Sequence, residues 1–68
     1  MREPGIYQHY KGNKYEFITL AKMAGETEEP VAVYRALHTG LVWVRPLSEV
    51  EGEVEWEGKT VKRFTKVA

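Results

Sequence analysis

The chain consists of short strand-forming segments separated by turn residues, and no stretch of ten or more residues repeats with the period of a helix. The segments are rich in Val, Ile, Tyr, Phe, Trp and Thr, which favour strands. They lie at residues 5–10, 15–23, 31–37, 41–46 and 59–67, with a Glu-alternating segment at 51–58. Five to six short strands predict an all-β antiparallel barrel or rolled sheet. An SH3-like barrel is favoured over an OB-like one, because the helix usual in OB folds is missing.

Turn residues set the expected connections between these strands. Gly12-Asn13 tolerates positive φ and predicts a tight hairpin after the first strand. Gly40 predicts a three-residue loop in a second hairpin, and Glu57-Gly58 predicts a third turn. Pro46 is suited to begin a helical turn, so at most one such turn is expected near residues 46–50.

Length and charge exclude several classes of protein. All 68 residues fit one small domain, and the absence of Cys excludes a disulfide scaffold or a Cys-based zinc module. Ten Lys and Arg balance ten Glu, so binding of nucleic acid through bulk positive charge is disfavoured. The polar N-terminal residues and the lack of a long apolar run predict a cytosolic domain with no membrane contact.

Three arginines carry the most informative pattern. Side chains two apart on a strand point the same way, so each arginine is expected to share a face with large apolar residues. These sets are Arg35 with Val31, Val33 and Leu37; Arg45 with Leu41 and Trp43; and Arg63 with Val61, Thr65 and Val67. Because Arg is rarely buried without a partner, something negative should meet each one. Internal pairing with glutamates is the commoner arrangement, and an anion pocket that binds phosphate or carboxylate is the alternative.

Aromatic side chains form a second pattern. Tyr7 and His9 share one face of the first strand, and Tyr10 lies on the other. With Tyr15, Tyr34 and Trp43 they are expected either to pack in the core or to form a wall on which a nucleotide base or a peptide side chain stacks.

The order of several motifs resembles a known family. These motifs are His9-Tyr10-Lys11-Gly12 within residues 5–12, Val33-Tyr34-Arg35-Ala36-Leu37, Trp43-Val44-Arg45-Pro46-Leu47, Gly58-Lys59 and Arg63-Phe64. The chain resembles, over roughly residues 5–64, the small bacterial and phage family known as domain of unknown function 1653. That family usually has His-Ser-Glu-Thr in the loop where this chain has Met23-Ala24-Gly25-Glu26-Thr27. The resemblance implies no activity.

Few residues are suited to catalysis or metal binding. Ser48 is the one serine, and no Asp is present to orient a histidine in a triad. Two histidines without Cys or Asp do not form a recognisable metal site, and no glycine-rich phosphate loop occurs. We therefore expect no catalytic residue, no metal and no cofactor.

The sequence thus favours a non-catalytic binding module with a small anionic or nucleotide-like ligand at the rim of the sheet. Arginines would supply charge, aromatic side chains would stack, and His9 and Glu26 would form hydrogen bonds. The predicted ligand-binding residues are Arg35, Arg45, Arg63, Tyr34, Trp43, His9, Tyr10 and Glu26. A protein-interaction or homodimerising module is the alternative, and nucleic-acid binding is third.

Overall fold

The computed structural model describes residues 1–25 and 29–68 and confirms the all-β class with one helical turn. The elements are β1 (Gly5–His9), β2 (Lys14–Lys22), β3 (Pro30–Ala36), β4 (Val42–Pro46), α1 (Leu47–Val50), β5 (Glu53–Trp56), β6 (Lys59–Lys62) and β7 (Phe64–Lys66). Within the described ranges, no helix has the length and apolar character needed to cross a membrane.

Five strands form one antiparallel sheet in the order β4-β3-β2-β1-β7, and β5 and β6 form a separate two-stranded ribbon. In the part of the chain that the structure describes, β4 and β7 remain the two edges and do not pair with each other. The sheet is therefore rolled rather than closed into a barrel.

Strand β2 lies between β1 and β3 and is the longest strand of the sheet, with nine residues. Its pairing with β3 shifts register between Phe17 and Thr19. Such an irregularity bends a strand and increases its twist, so it provides local curvature at the centre of the sheet.

One face of the sheet, called the core face here, packs against α1. Tyr7, Ala32, Tyr34 and Phe64 project from this face, and their neighbours across the strands share it because directly paired residues point the same way. The buried core consists of Met1, Tyr7, Ala32, Tyr34, Leu47, Val50 and Phe64. The opposite face, called the back face, carries side chains such as Val33, Arg35, Val42 and Val44.

The turns lie at the glycines that predicted them, but two turns differ in detail from the prediction. Gly40 has the expected positive φ (79°), but the backbone N–H of Ala36 donates to the Leu41 carbonyl, so the loop has four residues rather than three. Gly12 has a φ of 112°, whereas Asn13 does not take a positive φ. The reversal is completed before Asn13, since the Gly12 N–H donates to the His9 carbonyl at 2.8 Å.

The expected last strand over residues 59–67 divides at Arg63. β6 pairs with β5, and β7 pairs with β1, so the chain passes from the ribbon to the main sheet at this residue. The Arg63 N–H donates to the Gly52 carbonyl, and the Arg63 carbonyl accepts from the Tyr10 N–H. The prediction that Arg63 shares a strand face with Val61 and Thr65 is therefore wrong, because alternation is interrupted between them.

Candidate ligand-binding site

A cavity of about 150 Å³ opens on the core face. All five strands of the main sheet contribute to its lining, which consists of His9, Tyr15, Tyr34, Trp43, Arg45 and Phe64. In a flat sheet the edge strands β4 and β7 would be about 19 Å apart, four spacings of roughly 4.8 Å. Their shared cavity shows that the roll of the sheet brings the two edges together.

Strand register explains why these side chains converge. Trp43 is paired with Tyr34, Arg45 with Ala32, and His9 with Phe64, so all of them point to the core face. Trp43 and Arg45 lie two residues apart on β4 and therefore stand side by side along the cavity.

Aromatic rings in edge-to-face contact form the wall of the cavity. The Phe64 ring centroid lies 5.1 Å from that of His9, 5.6 Å from Tyr15 and 5.5 Å from Tyr34. The Tyr15 and Tyr34 centroids are 5.4 Å apart. Such contacts favour a fixed arrangement of the rings, which gives the cavity a rigid apolar side.

The surroundings of His9 favour its neutral form. Its Nδ1 accepts a hydrogen bond from the Lys11 backbone N–H at 3.2 Å, so the neutral ring carries its proton on Nε2. Burial lowers the pKa of His9, and the positive charges of Arg63, Lys11 and Arg45 lower it further. A histidine surrounded by cations in this way would gain a proton more readily if an anion entered the cavity.

Arg45 brings a positive charge to the cavity with little internal neutralisation. Its Nη1 lies 3.7 Å from Glu49 Oε1, an ion pair too long for a hydrogen bond, and its side chain is half exposed. Burial raises the pKa of the Tyr34 hydroxyl, and the charge of Arg45 opposes that rise. Arg45 and the Tyr34 hydroxyl are thus near neighbours that present donors to the same space.

Arg63 lies beside this site without lining it. Its Nε donates to the Glu49 backbone carbonyl at 3.1 Å, and its charge lowers the pKa of His9. The guanidinium therefore adds to the positive potential at the cavity while one of its N–H groups fixes it to α1.

Arg35 does not join the other two arginines. It lies on the back face, where its Nη2 donates to Glu16 Oε1 on the neighbouring strand. Arg35 meets a glutamate internally, as expected for internal pairing, whereas Arg45 lines an open cavity and meets Glu49 only at long distance.

Of the remaining predicted residues, Tyr10 does not line the cavity. It lines a neighbouring groove with Trp56, whose ring centroid lies 5.2 Å away, and His9 is the residue that this groove shares with the cavity. Glu26 falls outside the described residues. Within residues 1–25 and 29–68, no group of three or more potential ligands is placed to hold a metal ion.

Two lining residues, Tyr15 and Phe64, are absent from the predicted set. Tyr15 belongs to a strand with apolar residues on both faces, so alternation did not identify its direction. Phe64 cannot be assigned to the cavity from the sequence, because the break at Arg63 is not visible in a continuous β pattern. For Tyr15, the available signal was its proximity to the first hairpin, which pairs it with Tyr7.

Comparison with known proteins identifies the family. Residues 5–66 match the family described as protein of unknown function (DUF1653). A crystal structure of a family member from Bordetella bronchiseptica is similar at 37% sequence identity and a TM-score of 0.83, and the similarity covers 96% of this chain and 86% of that chain. No curated protein matches the chain. The motifs, the family match and the similar crystal structure together show that this chain belongs to the DUF1653 family.

Proposed function

We propose that this domain is a non-catalytic binding module for a small planar ligand that carries an anionic group, such as a nucleotide or an aromatic carboxylate. The supporting observation is the convergence of Arg45, His9, Trp43 and the Tyr34 hydroxyl on one cavity of about 150 Å³. A cytosolic location and an SH3-like topology stay predictions.

The cavity size favours a single ring. A cavity of about 150 Å³ has the volume that accommodates benzene in an engineered apolar protein cavity, so the space here is of the size of one six-membered ring. Trp43 is half exposed at the side of the cavity, where its indole face is available for stacking. A larger ligand would leave its remaining atoms outside, beyond Trp43 and Arg45.

The charge distribution favours an anion. Arg45 and Arg63 both lie near the cavity. The Glu49 carboxylate forms only a long ion pair with Arg45, and the Glu49 backbone carbonyl accepts a hydrogen bond from Arg63. Guanidinium groups bind carboxylate and phosphate through paired N–H donors. Since the formal charge of the whole chain is zero, the attraction is local to this site rather than spread over a polyanion-binding surface.

Isothermal titration calorimetry against nucleoside monophosphates, the matching nucleosides, benzoate-type carboxylates and inorganic phosphate tests the proposal. We expect a molecule with both a ring and an anionic group to bind more tightly than either part alone, because each engages a different wall. Binding should strengthen as the pH falls through 6.5 and below, toward the lowered pKa of His9, because an anion in the cavity favours the protonated ring.

Two matched variants locate the binding site. Arg45→Gln should weaken binding roughly tenfold or more, the effect of a lost charged hydrogen bond. Arg35→Gln removes the same charge from the back face and should leave affinity unchanged. Equal effects of the two variants, or no heat from any ligand in the panel, would contradict the proposal.

A further inference from the structure

Strand β4 is an edge strand with an exposed apolar surface. Leu41, Val42, Trp43 and Val44 are 58%, 56%, 52% and 53% exposed, and the outer side of β4 pairs with none of the described strands. The other edge, β7, has three residues and ends in Lys66, features that discourage strand pairing. β4 lacks such protection over its first three residues, so its edge is open to pairing with another strand.

One hydrogen bond shows which backbone groups of β4 point toward β3 and which point away from the sheet. Because the Ala36 N–H donates to the Leu41 carbonyl, these two residues form a hydrogen-bonded pair of the β3–β4 ladder. Alternation then directs the backbone groups of Trp43 and Arg45 toward β3. The N–H and C=O groups of Val42 and Val44 consequently point outward from the sheet.

We propose that two copies of this chain pair through β4 as antiparallel strands about a twofold axis, with Val42 opposite the partner's Val44. This register uses every outward group of the two residues and forms four backbone hydrogen bonds. A shift in one direction places Val42 opposite the partner's Pro46, which has no N–H. A shift in the other direction places Val44 opposite the partner's Gly40, whose N–H already donates to a carbonyl of its own chain.

Pairing of this kind brings the second copy to the candidate ligand-binding site. Trp43 faces the partner's Trp43 in the non-hydrogen-bonded position, where side chains approach most closely. The partner's Leu41 lies opposite Arg45, over the aliphatic part of that side chain. Trp43 and Arg45 both line the cavity. The side chains of the second copy that face them therefore supply apolar surface to the mouth of the cavity.

The side chains along the β4 edge favour a second copy of this chain as the pairing partner. In the proposed register apolar residues oppose apolar residues, and the one charged side chain, Arg45, opposes Leu41 rather than another arginine. The zero formal charge of the chain does not oppose self-association. Four half-exposed side chains provide less area than a standard interface, so a weak dimer in rapid exchange is expected.

Sedimentation equilibrium from micromolar to millimolar concentration measures the association. The average mass of the wild type should rise from 7.9 kDa toward twice that value. Val44→Pro removes an outward N–H without removing a bond to β3, and it should weaken association roughly tenfold or more because two of four interface bonds are lost. Val44→Thr keeps that N–H and should associate like the wild type. A strict monomer at millimolar concentration would overturn the proposal.

Cysteine cross-linking tests the register without relying on the proline variant. The chain has no native Cys, so Trp43→Cys introduces a single thiol. In the proposed register the two thiols face each other at a separation that allows a disulfide, and oxidation should give a covalent dimer. Val44→Cys places its thiols two residues out of register, too far apart for a disulfide, and should remain monomeric on oxidation. Faster cross-linking by Val44→Cys than by Trp43→Cys would overturn the register.

Discussion

Protonation of His9 is coupled to folding. Burial, followed by the charges of Arg63, Lys11 and Arg45, lowers the pKa of His9 in the folded chain. The unfolded chain binds a proton on this residue near pH 6.5. The contribution of neutral His9 to the free energy of unfolding is therefore fully present above pH 6.5. It is lost as the pH falls through 6.5 toward the lower pKa that His9 has in the folded chain.

Urea unfolding of the wild type and of His9→Gln between pH 7.5 and 5 measures this effect. The free energy of unfolding of the wild type should fall more steeply below pH 6.5 than that of the variant. All other residues are the same in both proteins, so every other pH-dependent contribution is common to the two curves. Parallel curves would show that the pKa of His9 is not lowered by folding.

Gly5 illustrates a backbone position that no other residue type can occupy without strain. Its φ is 149°, and a Cβ added there would lie 2.5 Å from the Ala68 carbonyl oxygen, which accepts the Ile6 N–H. We expect Gly5→Ala to lower the free energy of unfolding by about 3 kcal/mol, through positive-φ strain together with a backbone clash.

The control is Gly12→Ala. Gly12 also has a positive φ, 112°, but an added Cβ would have open space around it. Its cost should be the φ strain alone, about 1–2 kcal/mol. Chemical denaturation of both variants separates the two contributions, and equal losses would show that the contact with Ala68 is readily relieved.

At the scale of elements, the β5–β6 hairpin contains a residue type poorly matched to its turn. Glu57 has a φ of 50° and Gly58 a φ of 78°, as a two-residue primed turn requires. Asn tolerates this conformation better than Glu, so Glu57→Asn should raise the free energy of unfolding by about 0.5–1 kcal/mol. Glu57→Gln removes the same charge without that tolerance, and a thermal melt of equal gain for both would contradict a conformational cause.

Elements of this fold can be predicted from sequence to the extent that turns define them. Gly40 and the Glu57-Gly58 pair mark two reversals, and Pro46 marks the start of α1. The division at Arg63 could not be predicted because residues on both sides favour strands. Only the pairing of β6 with β5 and of β7 with β1 reveals that two sheets use these residues.

Strand β3 shows what alternation of side chains cannot predict, namely which face of a strand is the core face when both faces are apolar. Val31 and Val33 occupy one face of this strand, and Ala32 and Tyr34 occupy the other, so both faces are apolar. The prediction that Arg35 shares a face with Val31 and Val33 is confirmed by the register with β4. Alternation within one strand does not show which of its faces matches that of Arg45 on the next strand, and the two arginines lie on opposite faces of the sheet.

At the scale of the whole molecule, stability depends on very few buried side chains. A chain of this length is expected to have roughly 3–10 kcal/mol of stability. Leu47, on α1, is only 4% exposed and belongs to the core cluster. Leu47→Ala should cost about 2–5 kcal/mol, which is a large part of that total.

Leu37→Ala is the matched control for that change, since Leu37 is about half exposed at a turn. Its cost should be within about 0.5 kcal/mol, as for other surface substitutions. Circular dichroism during urea titration reports both values. Similar losses for the two leucines would mean that α1 contributes little to the core.

The candidate site belongs to the whole molecule, because its lining comes from all five strands of the main sheet. Sequence identified His9, Tyr34, Trp43 and Arg45 as separate candidates from residue type and alternation. Their convergence depends on the roll of the sheet and on long-range pairing, which local patterns do not encode.

The most direct test of the proposed function uses the two tryptophans as reporters in one spectrum. Trp43 lines the cavity and Trp56 lines the neighbouring groove, which shares His9 with the cavity but neither tryptophan, so each indole N–H resonance reports on one location. In a ¹H–¹⁵N titration with a nucleoside monophosphate, the Trp43 indole resonance should shift in a saturable way while that of Trp56 stays in place. A Trp43 resonance that remains fixed throughout the ligand panel, or a shift confined to Trp56, would contradict ligand binding in this cavity.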